Sequence, residues 1–332
     1  MVDAVSLATH IATQACSQWP CITSAPQLFM HRENSVFKVQ TTRGDAALRV
    51  HRLGYHSKAA IQSEMLWMAH LSANGLQVPE PLANLENAYL TEISLEGKTY
   101  FADLLTWLDG VPLGNSNDPL GYNKVALQTV FFNLGVVMAR LHSVSDTWKV
   151  PAGFTRHTWD RDGFVGETPF WGAFWNAGEL SGDHRMILNE ARQKAARELD
   201  GLQRAGADYG LIHADFVRQN ILINGTDVRI IDFDDSGFGF RMYDFATALV
   251  KNRAEPHYEA IKQSLFSGYR SMRRLSLLDE ESLKLFLTLR DFVFLGWMDA
   301  RRGEPGVEER MAGIRAATIA AAMEFLVSQS VI

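Results

Sequence analysis

Residues 211–235, LIHADFVRQNILINGTDVRIIDFDD, crowd His213, Asp215, Asn220, Asp232, Asp234 and Asp235 into a strand–turn–strand pattern. An ordinary buried hairpin does not carry so many acids, because an unpaired carboxylate taken out of water is costly. The stretch therefore calls for a positive partner. If ILI and VRII are hairpin arms turned at NGTD, Asn224 and Gly225 tolerate the positive φ such turns need. A four-residue loop then sets Ile223 opposite Val228 and Asn220 opposite Ile231, one step before Asp232. With neighbouring strands roughly 5 Å apart, Asn220 and Asp232 can share one ligand. An amide oxygen and carboxylates without a thiolate are hard donors, suited to Mg²⁺ or Mn²⁺ rather than zinc. Asp215, on the loop entering the hairpin, is placed to meet a substrate hydroxyl.

The remaining chain sets the frame. At 332 residues it exceeds what one hydrophobic core usually covers, so two lobes are expected. A net charge of −6 argues against a nucleic-acid surface. Cys16 and Cys21 are too few for a disulfide framework or a structural zinc site and read as free thiols. The N-terminus lacks the basic flank of a secretion signal, and Asp3 has the wrong charge for one. No segment approaches 18 uncharged apolar residues in a row. A cytoplasmic enzyme with no membrane and no nucleic-acid partner is the expectation.

Three β-like runs, 27–30, 35–40 and 46–51, precede a helix that begins after Ser57, carries Ile61, Met65, Met68 and Leu71 on one stripe, and stops at Gly75. Residues 88–93 and 99–108 read as two more strands, with a turn around Glu96 and Gly97. Five strands and an inserted helix predict an antiparallel sheet lobe. Asp109, Gly110 and Pro112 break that pattern, dividing a lobe at 1–108 from a mainly helical one at 109–332. In the second lobe, Leu127, Val130, Phe131, Leu134, Met138 and Leu141 form a core-helix stripe. Residues 186–204 predict an amphipathic helix, and further helices are expected from about 243, 280 and 306.

An Asp on a loop, an Asn five residues on, and an Asp opening a turn match the phosphoryl-transfer template of kinases. HADFVRQN followed by IDFDD resembles the H-x-D-x-x-x-x-N and D-x-D motifs of the aminoglycoside phosphotransferase and choline kinase superfamily. LRVHRLGYHS, SEMLWMAHL, GLQVPEP, LTWLDG, MARLH, WGAFW and GWMDARR extend the likeness to the bacterial branch that includes stress-response kinase A and type II homoserine kinases. The resemblance implies an α+β, bilobal protein-kinase-like fold with an antiparallel N-lobe sheet and a mainly helical C-lobe. It implies ATP and Mg²⁺, with Asp215 as catalytic base, Asn220 and Asp232 as metal ligands, and Asp234 as a second carboxylate ligand. Acids facing a triphosphate need that cation: a carboxylate about 4 Å from one phosphate charge repels it by ~4 kcal/mol at an effective dielectric near 20. His213 and Asp244 read as structural, and Asp235 as either surface or substrate-facing.

Under the same resemblance Arg49 on the third strand contacts phosphate, held by Glu64 of the following helix. Arginine replaces the usual lysine there and is not equivalent to it. The loop HRENS, 31–35, contains no glycine, which excludes a glycine-rich cradle. Asn34 and Ser35 either contact phosphate or close a turn. Thr106, Trp107 and Leu108 resemble the hinge that presents backbone groups to adenine. Only SGFGFRM and Asp235 separate Asp234 from Tyr243, too short for the usual activation segment, so a small hydroxyl acceptor, an amine-bearing metabolite or antibiotic, is expected. The alternatives are a protein serine/threonine kinase of the stress-response type and a nucleotide-binding module without turnover. Phe170 with Phe174 and Trp171 with Trp175 are spaced as on one helix face and read as packing, while Trp159 and Asp160 could hold a cationic group.

Overall fold

The computed structural model describes residues 4–115, 118–304 and 306–331; Asp3, weighed above for a secretion signal, lies outside them. The chain divides into two units. Unit 1 is Met1–Val111 with Trp148–Arg156 and Arg229–Asp234, and unit 2 is Pro112–Thr147, His157–Val228 and Asp235–Ile332.

Unit 1 begins with helix α1 (Ala4–Ala15), followed by β1 (Gln27–His31), β2 (Asn34–Thr41), β3 (Gly44–His51), α2 (Lys58–Ala73), β4 (Leu90–Leu95) and β5 (Lys98–Thr106). The strands form one antiparallel sheet, as expected, and their order is β1-β2-β3-β5-β4. Side chains alternate across a strand, and this decides where the charge goes. Ala46, Leu48 and Val50 of β3, with Ala102 and Leu104 of β5, join the core against Ile11, Ala12 and Ala15 of α1. Arg49 and Asp103 lie between them in sequence and are cross-strand partners, so they point to the other face, toward Glu64 of α2. Ser57 caps α2 by accepting from the Ala60 amide at 3.2 Å. Helix α1 has no counterpart among the expected elements; it buries Ala8, Ile11, Ala12 and Ala15 along one face.

The short strand β6 (Val111–Pro112) leads into α3 (Lys124–Asp146), whose expected apolar stripe is buried through Leu127, Phe131, Leu134, Met138 and Leu141. By length and composition α3 could cross a membrane, but that stripe and its glycine pack inside unit 2. Next come β7 (Thr158–Trp159), α4 (Arg161–Val165), α5 (Gly182–Arg204), β8 (Tyr209–Ile212), β9 (Ile221–Asn224), β10 (Asp227–Ile230), β11 (Gly237–Phe240), α6 (Met242–Val250), α7 (Tyr258–Arg270), α8 (Leu277–Glu281), α9 (Leu283–Asp299) and α10 (Val307–Val327). The helix expected near 280 is two helices parted at Ser282, and α7 was not anticipated. The turn after β9 is narrower than NGTD suggests, two residues long with Gly225 at φ +64°. The aromatic run departs further from expectation: Pro169 and Gly172, the latter at φ +98°, break any α-helix, and only a 3-10 turn at Phe174–Asn176 remains. Phe174 stacks on Phe292 at 4.2 Å, so the packing role holds for it without the helix.

Helices α3 and α7 cross at glycines. A Cβ at Gly135 would lie 2.2 Å from the Leu265 carbonyl, and one at Gly268 would lie 1.9 Å from that of Phe132. Backbone cannot yield at those distances without separating the helices. Gly268→Ala is expected to destabilise the fold by about 1–3 kcal/mol, read as a lower urea midpoint; an unchanged midpoint would show that the crossing is looser.

Candidate active site

Arg49 is almost wholly enclosed, and burial of a guanidinium is tolerated only with acids around it. Its Nε and Nη2 donate to the two oxygens of Asp103 at 2.9 and 2.8 Å, and Nη2 also reaches Glu64 Oε1 at 3.0 Å. Burial opposes its charge, but Asp103 and Glu64 outweigh that and hold its pKa well above the ordinary value. His51, two residues on and hence on the same sheet face, pairs with Asp103 at 2.6 Å. Burial pushes the Asp103 carboxyl up, yet Arg49 and His51 bring it below its usual value.

A second arginine closes this network. Arg156 Nη1 donates to the Ala60 carbonyl at 3.1 Å and lies 3.5 Å from Glu64 Oε2. Its Nη2 donates to the carbonyls of Phe233 at 3.3 Å and of Asp234. Arg156 therefore ties helix α2 to the 232–234 turn within unit 1. In that turn Asp232 is exposed and adopts φ +68°, a conformation that asks for a reason in a non-glycine residue. Asp234 is buried; its Oδ1 accepts from Asn34 Nδ2 at 3.3 Å and lies 3.5 Å from His56 Nε2. Burial alone would raise its pKa, but His56, by hydrogen bond and charge, then His51 and Arg49 hold it below the usual carboxylate range. Asp234 is ionised.

The structure separates Asn34 from Ser35. Asn34 reaches Asp234, while the Ser35 hydroxyl bonds His31 Nδ1 at 2.8 Å across the β1–β2 turn. At the end of β5, the Thr106 amide donates to the Glu80 carbonyl at 2.9 Å and the Trp107 amide to that of Asp45 at 3.1 Å. Trp107 meets Phe29 edge-on at 5.0 Å, and Leu108 follows in irregular, half-buried backbone. The amides of Thr106 and Trp107 are thus already engaged within unit 1.

In unit 2, the loop before β9 is pinned amide by amide. His213 and Ala214 donate to Asp244 at 3.1 and 2.7 Å, Asp215 to His213 Nδ1 at 3.2 Å, and Phe216 to the Thr247 hydroxyl at 3.1 Å. Ala214 is held at φ +65°, which turns Asp215 out of the buried run around it. His213 is fully buried and works on its own loop. Asp244, also fully buried, lies 2.9 Å from His142 Nε2, and the other ring nitrogen of His142 is 2.9 Å from the Tyr269 hydroxyl. Burial raises the Asp244 carboxyl to about 7 despite its two amide donors. Burial likewise pushes the His142 imidazole well below its ordinary value.

Asn220 ends a 3-10 turn, and its Nδ2 donates to the Asp215 carbonyl at 3.0 Å and to Asp215 Oδ2 at 2.8 Å. This turns its amide oxygen the other way. Arg290 of α9 donates to Asp215 Oδ1 at 2.6 Å. Trp159, considered above as a platform for a cation, is fully buried against Tyr243 and Phe164 and donates to the Asp235 carbonyl at 2.9 Å, so its ring face is not available. Asp160 caps α4 by accepting from Gly163 at 2.9 Å.

Asp103, Arg156 and Arg290, with His51 and His56, escaped the sequence reading. Asp103 left a signal, a lone charge within the apolar run YFADLL, which a buried strand carries only with a partner.

Residues 29–275 match the model of a family described as "Phosphotransferase enzyme family". A solved structure of a microcompartment-associated aminopropanol kinase is similar with a TM-score of 0.82 at 28% identity, covering 97% of this chain and 99% of that one. The amicoumacin kinase of Bacillus subtilis is 25% identical over 72% of this chain and 67% of its own length. The homoserine kinase of Xanthobacter autotrophicus is 29% identical over 76% of this chain and 72% of its own.

Removing Asp103 would leave Arg49 buried with Glu64 alone. Asp103→Ala is expected to destabilise the chain by about 3–5 kcal/mol, measured by chemical denaturation; a loss below about 1 kcal/mol, the scale of an exposed pair, would show that the network is solvated.

Proposed function

Because the chain belongs to the phosphotransferase enzyme family, we propose that Asp215 accepts the proton of an acceptor hydroxyl while that oxygen takes the γ-phosphoryl group of ATP. The enzyme is an ATP-dependent kinase with a small-molecule alcohol as acceptor. The observation that carries the role of Asp215 is its setting: a half-buried carboxylate on a loop whose four successive amides are all bonded, held at both oxygens by Asn220 and Arg290. As the acceptor oxygen bonds to phosphorus, the bond to the ADP oxygen breaks and the hydroxyl proton passes to Asp215. Such a base contributes roughly 10²–10⁴-fold.

Mg²⁺ fits the donors present. Among the described residues no three His, Cys, Asp or Glu side chains form a cage, and Mg²⁺ needs none when phosphate oxygens and water fill its shell. Against burial, His56, His51 and Arg49 hold the Asp234 carboxyl below the usual carboxylate range, and Asp232 carries the strained backbone of the same turn. Asp232 and Asp234, with the amide oxygen of Asn220, would hold the ion, which when bound neutralises phosphate charge. Arg49 would meet phosphate only through Nη1, since its other nitrogens serve Asp103 and Glu64. Asn34 would steady Asp234, and Leu108 would offer the hinge amide to adenine.

The acceptor class follows from unit 2 and from the relatives. Between Asp234 and α6 the chain forms β11, paired with β7 and β8, which leaves no long segment for docking a peptide. The similar kinases are named for aminopropanol, amicoumacin and homoserine. A hydroxyl compound bearing an amine is the acceptor this supports.

An ATP-consumption screen against amino alcohols, aminoglycosides, other antibiotics and a model protein tests the reading; turnover with the protein alone would replace it by the protein kinase. Asp215→Ala is expected to cut turnover by about 10²–10⁴-fold while nucleotide affinity, read by calorimetry, stays within about threefold of wild type, a shift under 1 kcal/mol. Asp232→Ala is expected instead to weaken Mg²⁺–nucleotide binding by about tenfold or more, and equal affinity in the two variants would remove the metal assignment.

A further inference from the structure

Arg290 lies on α9 in a setting that a surface charge does not need. The helix is fixed by the buried side chains Leu285, Phe286, Leu289, Phe292 and Val293, and Phe292 stacks on Phe174. From this rigid support the guanidinium sends Nη2 to Asp215 Oδ1 at 2.6 Å and places Nη1 3.5 Å from the hydroxyl of Tyr243, itself fully buried between Trp159 and Phe164. Asp215 Oδ2 is held by Asn220 at 2.8 Å.

We propose that Arg290 is a positioning residue for the phosphoryl transfer: with Asn220 it clamps the Asp215 carboxylate at both oxygens and fixes the plane in which the acceptor hydroxyl is received. The inference rests on the function proposed above. The physical need is specific. The backbone of the loop is pinned, yet the terminal torsion of an aspartate is broad and two-fold, so a pinned backbone alone does not orient the carboxylate. One donor leaves the group free to swing about that contact. Two donors, arriving from residues 5 and 75 positions away, stop the rotation. Each carboxylate oxygen can accept more than one hydrogen bond, so the clamp is compatible with receiving a hydroxyl. Arginine suits the place better than lysine, because its planar fork addresses Oδ1 and the Tyr243 hydroxyl together.

The test is a kinetic double-mutant cycle on ATP turnover, with the acceptor found by the screen or, failing one, with water. Arg290→Met is expected to lower kcat by about 10–100-fold, the scale of a misplaced catalytic group, with nucleotide affinity unchanged and acceptor KM within about threefold. Arg290→Lys should recover part of the loss, and covers the case in which the methionine variant does not fold. In an Asp215→Ala background the Arg290 substitution should add less than about threefold, since the group it orients is gone. Full wild-type turnover in Arg290→Met, an equal loss in the Asp215→Ala background, or an effect confined to acceptor KM would each overturn the inference. If Asp215→Ala itself leaves turnover intact, the assignment of the base fails and this inference falls with it, an outcome distinct from a loss in Asp215→Ala with none in Arg290→Met.

Discussion

Charge burial is the constraint around which unit 1 is organised. Arg49 and Arg156, both almost fully enclosed, share Glu64, one at each carboxylate oxygen. Neither arginine can be lost without exposing Glu64 to an apolar surrounding, and removing one partner of such a pair usually costs several kcal/mol. The network also has reach. Through Asp103 it registers β3 against β5, through Glu64 it registers the sheet against α2, and through the Arg156 bonds to Phe233 and Asp234 it extends to the aspartate turn. There burial alone would raise the Asp234 carboxyl, and His56 first, then His51 and Arg49, hold it below the usual carboxylate range.

Unit 2 solves the complementary problem of shaping a loop. Asp244 collects two successive amides and Thr247 a third, so the turn that carries Asp215 is set by acceptors from α6. Behind Asp244 stand His142 and Tyr269 in a buried hydrogen-bonded chain. The positive φ at Ala214 follows from this arrangement, because both amides are drawn to one carboxylate. Unit 1 repeats the device at Asp232, where an acid bears the strained conformation itself. Strain of this kind persists only when the surroundings over-determine it.

Much of this was legible in the chain because it depends on local period. Alternation revealed five strands, a three-four stripe revealed α2, α3 and α5, and Asp215, Asn220, Asp232 and Asp234 announced themselves by spacing and charge. What stayed hidden is pairing at distance. Arg49 finds Asp103 54 residues away, Arg156 finds Asp234 at 78, and Arg290 finds Asp215 at 75. Residue types advertise a need for partners but not which ones. Helices α1 and α7 were overlooked although each carries a stripe, Ala8, Ile11, Ala12 and Ala15 in one and Ile261, Leu265, Phe266 and Tyr269 in the other; α7 also uses Gly268 for a backbone contact that hydrophobic period does not register. The four-residue spacing in WGAFW misled because period says nothing of the backbone between, where Gly172 adopts a conformation no helix contains.

The segment after Asp234 shows how those rules bear on regulation. In kinases that switch, this part of the chain changes conformation when phosphorylated. Here Gly237–Phe240 pairs antiparallel with Tyr209–Ile212 and parallel with Thr158–Trp159, and its glycines let the strand seat closely. A Cβ at Gly237 would lie 2.4 Å from the His157 carbonyl, and one at Gly239 2.5 Å from Ile212. The Asp235 carbonyl accepts from both His157 and Trp159. Releasing the segment would break both ladders and uncover Trp159, which is entirely buried. Such a cost is out of scale with what one added phosphate supplies, about one to three charge-assisted hydrogen bonds. The strand is therefore a structural member of unit 2.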